Sequence, residues 1–356
     1  YPDCIKNDLD GYDALQEYKD EILDCAWQYT RCVIPSCSNV KRYIAFMRII
    51  IIGTVAESWG ELIDVSASDQ ILGYDLEGIL HDLFAGTKYH AAMAREFRCF
   101  LFITAEKSSD RRASAFFQQY TKALTSSPKN WFRIRDADAL ARFTMAAALA
   151  CNDFDEFWFN EAQLQVLSEL AVCQYDAVAF HKHHAEAEVC SSFAYLPHDD
   201  RTKVYERCRH IVWAMDAAWM FSRQGQVVLN FIRFFSGPIH MMMRRYRFVE
   251  EDLTIGRPAD HDLERRAKQR EKLWYRPKER ELFNPAQFEG FRLPRAELMF
   301  EGLAEMLRPG AGRDCPQCRP SSDPELGEGS RFGGTILCQQ CQNQWRDYSA
   351  CIVDRL

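Results

Sequence analysis

The chain is 356 residues long and 47% hydrophobic, 13% aromatic and 27% charged, which suits a large folded protein and excludes disordered, collagen-like and coiled-coil classes. With 44 Lys and Arg against 51 Asp and Glu the formal charge is −7, so no global basic field draws in nucleic acid or an acidic membrane, and an anionic substrate must be held by local cations. The longest apolar runs, Ile49 to Ala56 and Phe143 to Cys151, fall far short of the roughly 20 residues that a membrane span needs.

Helical spacing begins at once. Leu15, Tyr18, Ile22, Cys25, Tyr29 and Val33 step by three and four, which puts them on one helix face ending at Pro35. A second helix is predicted from a cap at Ser38 or Asn39 to about Val65, with Gly53 and Gly60 inside it marking close packing or a kink. Further helices are predicted near 75–85, 89–107, 110–126, 133–151, 160–192, 200–222 and 225–252, punctuated by Gly86, Pro128 and Pro197. No segment before residue 330 alternates with period two, so residues 1–255 read as one all-α helical domain without a repeat. Residues 256–308 read as a basic linker and a last helix near 294–308. Within them Arg265 to Arg280 holds eight Lys or Arg and two Glu, either a solvated charged helix or a lid that closes on phosphate.

Fourteen cysteines are too dilute for a disulfide scaffold, and ten lie in apolar helical surroundings, which predicts a reducing, cytoplasmic setting. A chain that opens on Tyr1 leaves room for a leader or arm ahead of it. The remaining four, Cys315 and Cys318, then Cys338 and Cys341 after nineteen intervening residues, form two knuckles of the kind that converge on one tetrahedral Zn²⁺ site. Residues 309–356 therefore read as a small zinc-ribbon-like Cys4 unit, folded by its metal and closed to catalysis because four thiolates leave no open position.

Other clusters carry chemistry. Glu57, Glu61 and Asp64 would share one helix face directly after a very apolar run, a place either for Mg²⁺ with substrate phosphate or for a solvated helix end. Arg133 and Arg135 beside Trp131 and Phe132 offer guanidinium groups, the bidentate partners of phosphate. The segment from Tyr175 to His184 holds Asp176, Lys182 and three histidines, and His240 precedes a Met-rich run ending in Arg244, Arg245 and Tyr246. A histidine cluster on a helix is more often polar surface than a ligand set.

In this order the segments resemble a class I terpene synthase with a rewritten signature: a carboxylate helix, a diphosphate-sensing Arg, a metal triad at 0, +4 and +8, and an Arg-Tyr pair. The triad positions here carry Tyr175, Ala179 and His183, and no Asp-rich box is present. Among such enzymes the chain is similar over nearly its full length to the fungal α-ionylideneethane synthase family of abscisic acid biosynthesis. The similarity rests on Cys25-Ala26-Trp27, Tyr29 to Pro35, Ala45 to Ile51, Leu72 to Leu76, Asp138 to Thr144 and Gly237 to Glu251. The resemblance implies a helical terpene synthase bundle and conversion of farnesyl diphosphate to α-ionylideneethane through neutral farnesene-type intermediates.

On that footing Glu57 and Glu61 hold catalytic Mg²⁺, while Arg133, Arg135, Lys182, Arg245 and Tyr246 bind the diphosphate. Glu57, Glu61, Asp176 and His240 are the catalytic candidates, Glu57 serving as metal ligand or proton donor. Phe46, Trp59, Phe143 and Phe180 are candidates for the pocket wall, where ring faces stabilise a transient carbocation. Two rival readings stand beside this one: an α-helical zinc-containing adaptor for protein or RNA, and a prenyl-chain-elongating enzyme on the same fold.

Overall fold

The computed structural model describes residues 1–109, 115–124, 127–185, 188, 190–236, 248, 250–253, 255–258, 260–269, 295–308, 315–320 and 335–355. The described chain is all-α apart from two minimal two-stranded pairs. Strands β1 (Gln70–Ile71) and β2 (Tyr74–Asp75) pair antiparallel, and so do β3 (Arg319–Pro320) and β4 (Thr335–Ile336).

After a 3-10 turn at Asp13–Tyr18, α1 (Lys19–Val33) and α2 (Val40–Ser58) form an antiparallel pair joined across Pro35. Asn39 caps α2, its side chain accepting the Arg42 N–H at 3.1 Å, as Asn does for an otherwise unsatisfied first-turn donor. The helix ends at Ser58, not near Val65, so Glu61 lies in a following 3-10 turn (Gly60–Leu62) and the expected carboxylate face is broken. Gly60 explains the break. A Cβ there would stand 2.6 Å from the Ala105 carbonyl oxygen, so only glycine lets this turn press against the neighbouring helix. Gly53, inside α2, sits against Phe100, where a Cβ would meet the ring at 3.3 Å.

The neighbours are α3 (Leu76–Phe84), α4 (His90–Ser108), α5 (Ala115–Leu124), α6 (Pro128–Asp138) and α7 (Ala141–Ala150). The single helix predicted over 133–151 is two helices, because Leu140 takes a left-handed φ of 52° and turns the chain between α6 and α7. All ten residues of α7 are buried. Apart from Arg142 and Thr144 it is apolar all round, as suits a central helix, and its alanines let α2, α3, α4, α6 and the later helix Arg223–Ser236 approach closely.

The rest of the bundle is α8 (Glu161–Val178), opened by an Asn160–Gln163 capping box, then α9 (Phe180–Ala185), α10 (His198–Ala218) and α11 (Arg223–Ser236). The helix predicted over 160–192 breaks at Ala179, which separates α8 from α9. Next come α12 (His261–Gln269), packed on α9, and α13 (Leu303–Met306). In place of a continuous helix over 294–308 there is a 3-10 turn at Arg295–Leu298 before α13. The tail helix α14 (Gln339–Ala350) starts at Cys338 and docks on α6 and α10. Its Trp345 is buried against Trp131, at 5.2 Å between ring centroids, and Tyr195, at 4.8 Å. Among the described residues no helix is long and apolar enough to cross a membrane.

Candidate active site

Several helices end at the same place. Glu57 lies one residue before the end of α2, Lys107 one before the end of α4, Asp138 at the end of α6, and Tyr175 and Phe235 in the last turns of α8 and α11. These residues, with Arg135 of α6, Lys182 and His183 of α9, and Glu188 and Cys190 of the loop beyond, line one cavity. Its apolar wall is Ile50, Phe100, Leu140 and Phe235, with the rings of Tyr29 and Tyr175. The atom-free space is about 750 Å³ including the open mouth. Helix C-termini carry partial negative charge, so a point where several meet favours cations such as Lys107, Arg135 and Lys182.

The charged groups form a buried relay. Asp138 accepts from Lys107 Nζ at 2.9 Å and Arg135 Nη1 at 2.6 Å, and Arg135 Nη2 reaches Asp176 Oδ1 at 2.8 Å. Asp176 Oδ2 accepts the Ser192 N–H at 2.8 Å, and His183 Nδ1 lies 3.9 Å from Asp176 Oδ1. The two aspartates respond oppositely. Burial pushes both upward, but at Asp138 the charges of Lys107 and Arg135 prevail and hold the carboxyl below its usual range. At Asp176 burial prevails over Arg135 and the Ser192 bonds, and the carboxyl stays above its usual range. Burial opposes the charge of Arg135 itself, but Asp176 and Asp138 outweigh it and raise its pKa well above normal. Arg135 Nε is buried with no hydrogen-bond partner among the described residues, so a donor remains on a cation at the cavity wall.

Glu57, Arg135 and Lys182 thus come together, and Asp176 stands directly behind them. Arg133 goes elsewhere. It pairs with Glu96, lies 3.6 Å from the Phe300 ring centroid, and faces a separate open groove with Arg142, Glu161, Tyr348 and Arg355. Glu61 is buried in its turn and is not among the cavity-lining residues. The four aromatics named from sequence do not line the cavity either: Phe46 packs near Tyr29, Trp59 against Tyr18, Phe143 between Phe84 and Phe97, and Phe180 beside His181 and His184. His240, Arg245 and Tyr246 lie outside the described residues.

Sequence reading missed Lys107, Asp138 and Glu188 as wall residues, and named Tyr175 only as a position of the rewritten triad. Lys107 had a usable signal, since Glu106 and Lys107 close the largely apolar stretch from Cys99 to Ala105 much as Glu57 closes its own. Histidines 181, 183 and 184 are buried, contrary to the expectation of a polar surface.

The tail cysteines converge. Their four sulfurs lie within 4.8 Å of one another, with Cys315 and Cys338 at 3.7 Å, so the group could hold a metal ion. The Cys338 thiol, held mainly by the Cys341 N–H, is lowered to about 7, whereas burial pushes the Cys318 and Cys341 thiols up.

A family model described as alpha-ionylideneethane synthase aba3 matches residues 1–356. The chain is 51% identical over 359 residues to the alpha-ionylideneethane synthase aba3 of Botryotinia fuckeliana strain B05.10, spanning 100% of this chain and 81% of that protein. It is 47% identical over 360 residues to the alpha-ionylideneethane synthase abl3 of Leptosphaeria maculans, spanning 100% and 84%. Against the abl3 synthase of Pyricularia oryzae strain Y34 the identity is 40% over 420 residues, spanning 100% and 81%.

Proposed function

The chain belongs to the α-ionylideneethane synthase family, and from that premise we propose that it converts farnesyl diphosphate to α-ionylideneethane in the cavity at the joined helix ends, on a class I terpene synthase-like bundle. The observation that carries this reading is the cavity's mixed wall, which combines the cations Lys107, Arg135 and Lys182 with the apolar Ile50, Phe100, Leu140 and Phe235. An anionic head with an apolar tail matches that combination.

Ionisation breaks the allylic C–O bond, and the electron pair leaves with the diphosphate. Fixed cations aimed at the departing oxygens lower that barrier without reorganising. Arg135 is held for this by Asp138 and Asp176 and retains its Nε donor. Asp176, wholly buried, is a positioning residue here. Loss of a proton from the cation yields a farnesene-type acyclic tetraene, and its return elsewhere restarts cyclisation to the triene, so the wall needs groups that both take and give protons. Glu57 and His183 line the cavity and are suited to this exchange. The rings of Tyr29 and Tyr175 offer π-faces to the carbocation.

Mg²⁺ fits in one respect. Such an ion commonly takes one or two carboxylates and completes its shell with water and phosphate oxygens. Glu57 is the wall carboxylate that would hold it, whereas Asp138 is already engaged by two cations. When bound, the ion supplies charge neutralisation for the leaving group. For the tail we propose structural Zn²⁺, because the 3.7 Å spacing of Cys315 and Cys338 matches the tetrahedral edge of about 3.7 Å expected for Zn–S bonds near 2.3 Å.

The test incubates purified protein with farnesyl diphosphate and Mg²⁺ and analyses the extract by gas chromatography and mass spectrometry. The expected result is a C15 triene with the α-ionylideneethane skeleton, and Glu57→Gln should lower turnover by about 100-fold or more. A protein yielding no hydrocarbon, or one yielding longer prenyl diphosphates, would overturn the reading. The adaptor reading is not favoured, since the relatives are named as synthases along the whole chain.

A further inference from the structure

Helix α9 divides its short length between two partners. Lys182 and His183 line the cavity, whereas His181 and His184 meet Glu264 of α12. The Glu264 carboxylate receives His181 Nδ1 at 2.7 Å on Oε1, and His184 Nδ1 at 2.9 Å on Oε2. A third imidazole stands beside them. His261 Nδ1 lies 3.7 Å from Glu264 Oε2, and it is a buried ring nitrogen with no hydrogen-bond partner among the described residues. The His184 and His261 rings stack at 5.6 Å and 12°.

Two histidines and a carboxylate in this array are a donor set for a borderline transition ion, since imidazole suits Zn²⁺, Cu²⁺, Fe²⁺ and Ni²⁺ and carboxylate adds charge. The spacing agrees. Tetrahedral metal–N/O bonds of about 2.0 Å put donor atoms about 3.3 Å apart, and the 2.9 and 3.7 Å separations at Glu264 Oε2 bracket that value. All three donor atoms lie within 4.8 Å of one another. A purely hydrogen-bonded cluster accounts for His181 and His184 but leaves the His261 nitrogen unsatisfied. His261 itself is 41% exposed at its side chain, which brings solvent to the edge of the cluster.

We propose that His184, His261 and Glu264 bind a second divalent transition ion of the zinc class, distinct from the Cys4 site, with His181 orienting the free Glu264 oxygen. The ion ties α12 to α9 and thereby fixes the helix that presents Lys182 and His183 to the cavity. A hydrogen bond such as that from His181 commonly sets the orientation of a ligating carboxylate.

The test strips the full chain with a chelator, reloads it with Zn²⁺ or Co²⁺, and counts bound metal by mass spectrometry. His261→Ala, at a partly exposed side chain, should bind one equivalent fewer than the parent. With Co²⁺ it should lose the weak d–d absorption of an N/O site while keeping the intense thiolate-to-cobalt band of the cysteine site. Glu264→Gln, which preserves shape, should show the same loss, and the one-equivalent difference should persist in a Cys338→Ser, Cys341→Ser background. Equal metal content in parent and His261→Ala would overturn the proposal. The readout needs no turnover, so it stands or falls apart from the proposed reaction.

Discussion

Arg133 and Arg135 sit two residues apart on α6, and their surroundings have little in common. Two residues on an α-helix are about 200° apart, so one guanidinium enters the cavity between Asp138 and Asp176 while the other turns to Glu96, Phe300 and an open groove. The cavity side is bounded by helix ends and its charges are held by partners that leave one donor over. The groove side is edged by the tail, where Tyr348 donates to Glu169 at 2.5 Å and Arg355 pairs with the same carboxylate. One side combines cations with apolar residues in a single wall. The other is a charged seam between the bundle and α14.

The sharpest way to break this contrast is a pair of substitutions. Arg135→Met strands Asp176 without its cation and should lower the unfolding free energy by about 3–5 kcal/mol in urea titrations, with loss of hydrocarbon product. Arg133→Met should lose stability through Glu96 but keep turnover per folded molecule. Equal loss of product in both would erase the distinction between the two sides. Gly60→Ala should cost about 1–3 kcal/mol, because its Cβ meets backbone of α4, which cannot yield as a side chain would.

A pH series sharpens the cavity side. Asp138 is depressed when folded, so its stabilisation is complete above about pH 4 and is lost as pH falls through the lowered value. The stability difference between parent and Asp138→Asn should therefore shrink below about pH 4. Asp176 is raised, so its sign is opposite: relative to Asp176→Asn the parent should gain stability as pH falls through the raised value. Matching trends in the two variants would show that the relay is not ordered as described. The smallest effect belongs to the groove, where Tyr348→Phe should cost about 1 kcal/mol and leave the product spectrum unchanged.

The helical class, the Asn39 cap, the stop before Pro35 and the cysteine knuckles were legible because each is local: a period, a capping residue, a ring without an N–H, a fixed spacing. Breaks inside the predicted helices were not. Leu140 carries no glycine or proline signal, and its left-handed turn is sustained by the packing around it. The end of α2 at Ser58 depends on α4 lying against Gly60, a contact far away in sequence. Glu57 was legible as a charge closing an apolar run, while its partner Glu61 was misplaced by the same unseen break.

The sequence by itself determined which segments are helical and which residue types are available for phosphate, proton and metal chemistry, since propensity and spacing act over a few residues. Only the tertiary structure decided which of those residues meet. Whether Arg133 or Arg135 faces the cavity is a matter of helix rotation, set by how buried side chains from distant segments pack. The same holds for His261 and Glu264, far along the chain from His184, which become neighbours only because α12 lies on α9.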